Sequence, residues 1–102
     1  MHAVFREARY PVDLPIERTP QFQEFHKAHA TRTGYVGTVV ARLDEERYLQ
    51  VTLWQTEHDM HAAREALTPV IERLLNPLMT AAAVLLGTGR VVFSDISAPH
   101  AH

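Results

Sequence analysis

The chain has 102 residues, 46% hydrophobic and 22% charged, with no cysteine and a formal net charge of −2. That length makes one domain, able to bury about 60–70% of its unfolded surface. The charge balance argues against a nucleic-acid or anionic-membrane partner, which would select a basic surface, and the missing thiols exclude a disulfide framework, a cysteine nucleophile and thiolate metal sites.

The first ten residues carry Arg6, Glu7 and Arg9 where a signal peptide would have an apolar block. The longest apolar stretch, residues 78–86, is broken by Thr80 and far too short to span a bilayer. The expectation is a cytoplasmic protein. Residues 1–97 read as the folded domain and residues 98–102 as a short flexible tail.

"AVFREARY" (3–10) reads as a strand of mixed polarity, ended by Pro11, which has no N–H to donate to a sheet. Thr19-Pro20 starts a helix: a hydroxyl to cap it and a ring suited to its first position. The spacing carries this helix to about Thr31, with Gly34 placed to end it. Phe22, Phe25 and His29 fall on one face. "YVGTVVARLD" (35–44) and "RYLQVTLWQ" (47–55) are rich in β-branched and aromatic residues and flank the acidic turn Asp44-Glu45-Glu46, which predicts an antiparallel hairpin. In the second of these strands Leu49, Val51 and Leu53 alternate with Tyr48, Gln50, Thr52 and Trp54.

Thr56 caps a second helix, with Asp59 three positions on in the manner of a capping box. Met60, Ala63, Leu67, Val70, Ile71 and Leu74 form its apolar stripe. Thr68-Pro69 is expected to restart or kink it, and Asn76-Pro77 to end it. "AVLLGTGRVVFSD" (83–95) reads as the last strand, with Gly87 and Gly89 suited to a bulge.

The order β-α-β-β-α-β predicts an α+β, ferredoxin-like fold: a four-stranded antiparallel sheet with two helices on one face. The strands are apolar on both faces, so the uncovered face is a predicted interface. Pairing of two such sheets in a homodimer is the economical solution.

At this point "GYVGTVVARLDEERYLQV" and "YLQVTLWQTEHDMHAAREAL" carry a resemblance to the antibiotic biosynthesis monooxygenase-like domains of the dimeric α+β barrel superfamily. The likeness spans about residues 3–95. It implies a cofactor-independent oxygenase, without metal or flavin, acting on a small aromatic or quinol-like molecule in a pocket lined by the matching Trp54. A non-catalytic ligand-binding or stress-related dimer is the alternative, and a haem-binding protein using His29 or His61 a third. The haem-degrading branch uses an Asn on the first strand and an iron-ligating His on the second helix. This chain has a single Asn, Asn76, at a helix end, and Arg64, Glu65 and Ala66 where that His would fall. The Asn of the anthrone-type oxygenases has no evident counterpart either.

Trp54 and His29 are therefore the candidate catalytic residues, Trp54 stacking the substrate and His29 moving a proton. Tyr48, Gln50, Thr52, Phe22, Phe25, Arg6 and Arg90 are the candidate substrate contacts. Six of them have a plainer role: Phe22, Phe25 and Trp54 as core, His29 as a hydrogen-bonded core residue, Arg6 and Arg90 as interface ion pairs. His58 and His61 lie about 160° and 140° from the apolar stripe, which turns them outward. No metal site is expected from them, since a structural site needs about four converging ligands. "LGTGRV" lacks the spacing and the Lys-Ser/Thr ending of a phosphate loop, and no serine stands in a nucleophile elbow.

Overall fold

In a computed structural model that describes residues 1–96, the elements run β1 His2–Arg9, α1 Pro20–Ala30, β2 Tyr35–Arg42, β3 Arg47–Trp54, α2 Glu57–Leu74 and β4 Ala81–Arg90. The strands form one antiparallel sheet in the order β2-β3-β1-β4. The fold is thus the expected ferredoxin-like βαββαβ, with β1 and β3 at the centre. The tail expected at 98–102 lies outside the described residues.

Local chemistry explains the element ends. Thr19 caps α1 by accepting from the Phe22 N–H at 3.1 Å, with Pro20 at the first position. Thr56 caps α2 by accepting from the Asp59 N–H at 3.0 Å. The Asp44 carboxylate closes the β2–β3 turn by accepting from the backbone N–H groups of Glu46 and Arg47.

Helix α1 ends where expected, while the role of Gly34, the course of α2 and the limits of β4 differ from expectation. Helix α1 ends at Ala30, and Gly34, with φ of +82°, makes the turn into β2 instead. A Cβ at Gly34 would run into the Asp59 carboxylate, so the turn is held against the start of α2. Helix α2 runs unbroken through Pro69. The carbonyl that loses its partner there belongs to Glu65 on the exposed face, where water can serve it. Strand β4 starts two residues early, at Ala81, and stops at Arg90. Its register against β1 shifts at Phe5/Arg6, opposite Gly87 and Leu85, which is the anticipated bulge.

Strand parity sorts the sheet into two faces. Tyr48, Gln50, Thr52 and Trp54 face the helices, as do Val4, Arg6 and Ala8 of β1 opposite them. Under the helices lie two apolar clusters. One gathers Ala8, Tyr10, Ile16, Phe25, Tyr48, Leu74 and Leu75; the other gathers Val4, Trp54, Met60, Ala63 and Leu67. On the opposite face Phe5, Val51 and Val39 form a row across three strands. Among the described residues nothing covers that face: Phe5 is 38% exposed, Val39 54% and Leu86 54%.

Candidate active site

A cavity opens at the seam between the two clusters. Its floor is Val4, Arg6 and Ala8 of β1 with Gln50, Thr52 and Trp54 of β3. Helix α1 adds Phe25 and His29, α2 adds Arg64, Leu67 and Ile71, and the chain beyond it adds Leu75, Met79 and Ala83. The free volume is about 40 Å³, room for about three water molecules at roughly 10–15 Å³ of such volume each. A cavity known to hold benzene is about 150 Å³. Admitting an aromatic ring therefore requires a wall side chain to swing aside, and half-buried Met79, with three rotatable bonds, is the most flexible of the apolar ones.

His29 lies one helical turn after Phe25, and its Nδ1 is 3.1 Å from the Phe25 carbonyl oxygen. A carbonyl only accepts, so Nδ1 carries the proton and donates, leaving Nε2 with its lone pair. The ring is 8% exposed and packs edge-on against Phe25 at 4.2 Å, with Trp54 at 6.1 Å. Burial pushes its pKa below the ordinary value of 6.5. The Phe25 hydrogen bond opposes that shift, and the charges of Arg6 and His26 add to it. His29 is a neutral base at pH 7.

Trp54 closes one end of the cavity. It is 2% exposed, meets Tyr35 edge-on at 5.7 Å and packs with Met60 and Ala63. Tyr35 is itself fixed by a 2.9 Å hydrogen bond between its hydroxyl and that of Thr38. The indole wall is therefore rigid, being braced on its far side.

The polar groups of the lining are left open. Among the described residues, the side chains of Arg6, Gln50, Thr52 and Arg64 make no hydrogen bond or ion pair with protein. Burial, and after it the charge of Arg64, lowers the pKa of Arg6 from its usual value. None of their polar atoms is buried without a partner, so water serves them in the free chain, and a polar ligand entering the cavity would take the place of that water.

Of the residues singled out from sequence, Arg6, Phe25, His29, Gln50, Thr52 and Trp54 come together here. Phe22, Tyr48 and Arg90 do not. Tyr48 is buried in the other cluster, edge-on to Tyr10 at 5.5 Å, and Phe22 packs against that cluster. Arg90 sits exposed at the end of β4, opposite His2. His58 and His61 are exposed, and His61 lies 3.7 Å from Glu57. Among the described residues no three His, Cys, Asp or Glu side chains converge. Arg64 is the polar lining residue that the sequence reading passed over. Its signal was its place between Ala63 and Leu67, a charge on the edge of an apolar stripe.

No family model matches the chain, and no curated protein matches it. Solved structures do. SnoaB, a cofactor-independent oxygenase from Streptomyces nogalater, superposes with a TM-score of 0.65 at 17% identity, covering 94% of this chain and 96% of its own. An antibiotic biosynthesis monooxygenase superposes with a TM-score of 0.64 at 13% identity, over 90% of this chain and 99% of its own. A mutant of MhuD with two manganese protoporphyrin IX molecules bound per active site gives a TM-score of 0.68 at 23% identity, over 95% and 100%. The chain has the antibiotic biosynthesis monooxygenase-like fold.

A porphyrin does not fit the residues present here. Pockets for drug-sized ligands run about 300–1,000 Å³, against about 40 Å³ in this cavity. His61 is outside it.

Proposed function

We propose that the chain is a cofactor-independent monooxygenase that acts, as a homodimer, on a small aromatic or quinol-like compound seated beside Trp54. The observation that carries this reading is His29: a buried, neutral imidazole in the cavity wall whose Nδ1 is committed to Phe25, leaving Nε2 as its one free base. The fold shared with SnoaB supports it.

The chemistry follows from those groups. Nε2 of His29 takes a proton from an activated C–H of the substrate, for which a positioned base is worth about 10²–10⁴ in rate. Arg6, Gln50 and Thr52 hold donors toward the oxygen on which the charge collects. The substrate carbanion passes one electron to O₂, the radical pair combines into a hydroperoxide, and its O–O bond breaks. One oxygen stays as a carbonyl and the other leaves as water. A methylene carbon supplies all four electrons, so no external reductant is needed.

The homodimer follows from the open sheet face. Phe5, Val39, Val84 and Leu86 are each more than a third exposed there, beside half-buried Leu49 and Val51. An apolar face of this kind on a small protein is usually covered by a partner, and a second copy, sheet against sheet, presents a matching one.

The small size of the cavity favours one other reading, a dimer of the same fold that binds a small ligand without turnover. Oxygen uptake separates the two. With a panel of anthrones and hydroquinones, the proposal expects saturable uptake that falls when Trp54 becomes Phe. No uptake across the panel, or unchanged uptake in Trp54→Phe, contradicts the oxygenase.

A further inference from the structure

We propose that the ligand of this cavity is a small aromatic carboxylate, its carboxylate held between the guanidinium groups of Arg6 and Arg64. This rests on reading the cavity as a ligand site, and it deepens that reading by naming a substrate class.

Among the described residues, the cavity lining holds two arginines, a histidine and no Asp or Glu, so no lining carboxylate balances its charge. Among the other described arginines Arg9, Arg18, Arg42, Arg47 and Arg73 find partners, Arg73 donating to Glu24 at 3.0 Å and Arg42 to the carbonyls of Val12 and Glu45, while Arg32 and Arg90 do not. Arg6 and Arg64 have no such partner among the described residues. They are half-buried, and close enough that the charge of Arg64 disfavours the charge on Arg6. Two like charges drawn toward a partly dry cavity are destabilising unless an anion joins them. Arg64 also has no part in the oxygenation scheme above.

The geometry suits a carboxylate. Arg6 comes from the sheet floor and Arg64 from the α2 wall, so the two side chains line the cavity from different elements. A planar guanidinium matches a carboxylate with paired N–H donors. Phe25, Trp54, Leu67 and Ile71 make the rest of the wall apolar, which suits an attached ring. With five donors, Arg6 can serve the carboxylate and still lie beside Gln50 and Thr52.

Trp54 is the only tryptophan, so its fluorescence reports on occupancy of the cavity. Titration with benzoate and with the neutral isostere benzamide should give saturable quenching, with benzoate tighter by about tenfold or more, a factor a charge-assisted hydrogen bond can supply. Arg64→Gln should remove that preference while raising the melting temperature of the ligand-free protein, because one of two repelling charges is gone. Arg64→Lys, which keeps a charge, should retain part of the preference and serves if the glutamine variant fails to fold. Equal binding of benzoate and benzamide, an unchanged preference in Arg64→Gln, or displacement of benzoate by an equal concentration of inorganic phosphate overturns the proposal. Binding of benzamide or hydroquinone without benzoate sinks the carboxylate and leaves the cavity as a site. Silence of every probe sinks both.

Discussion

At His29 one hydrogen bond decides the chemistry. The Phe25 carbonyl fixes the tautomer and burial keeps the ring neutral, so the same packing that makes His29 a core residue makes it a base. The core position and the proposed catalytic role coincide, which is why the sequence alone left both open. The lowered pKa also sets the pH dependence of stability. The unfolded chain binds a proton at the ordinary imidazole value of 6.5, and the folded chain only at lower pH. Stability from this group is therefore fully present above about 6.5 and is lost as pH falls from there to the folded pKa. Melting curves between pH 8 and 5 should show a falling melting temperature below 6.5, and His29→Gln should flatten the fall. An equal slope in the variant would place the effect elsewhere.

Residue identity alone distinguished the cavity from the core only in part. Gln50, Thr52 and Trp54 were legible because period-2 parity puts them on one face. Tyr48 shares that face, yet one step further along β3 it passes into the neighbouring cluster. Parity fixes the side of a sheet and says nothing about which cluster covers it. Arg64 is the reverse case: it was within reach of a helical wheel, but its place in the cavity appears only once the fold sets it in one lining with Arg6.

Among the elements, the ones with chemical punctuation were placed well. Thr19-Pro20 and Thr56 supply real caps, and both helices begin where those hydroxyls say. The limits of β4 were less legible, because Ala81 and Ala82 carry no strand signal while Val91, Val92 and Phe93 carry one that the structure does not use. Gly34 shows how a local signal changes meaning in tertiary context. It is a glycine because the α1–β2 turn needs positive φ and because Asp59 occupies the space a side chain would take. The same turn accepts from the Gln55 N–H at 2.8 Å, tying it to the residue after Trp54. Gly34→Ala should cost about 1–3 kcal/mol, the usual penalty for a strained left-handed residue. That is a drop of about 4 °C or more in melting temperature for a domain of this size. A variant that melts with the wild type would show that the turn relaxes freely.

For the whole molecule, the element order and the apolar character of both sheet faces gave the architecture, while the cavity volume could come only from packing. The open face makes its own prediction. Leu86 is 54% exposed in the single chain, so Leu86→Lys removes little from the fold and puts a charge into the proposed interface, where an unpaired charge is costly. Light scattering at micromolar concentration should give twice the 11.6 kDa chain mass for the wild type and the single-chain mass for the variant. A monomeric wild type would refute the dimer.

The claim on which the account depends most is that His29 is the base of an oxygenation needing no added cofactor. Turnover under ¹⁸O₂, with the product read by mass spectrometry, tests it most directly. With His29 as the base, each product molecule carries one labelled oxygen, and His29→Gln turns over at least about a hundredfold more slowly, within the range a general base contributes. Unlabelled product, or a His29→Gln variant that turns over at the wild-type rate, would contradict it.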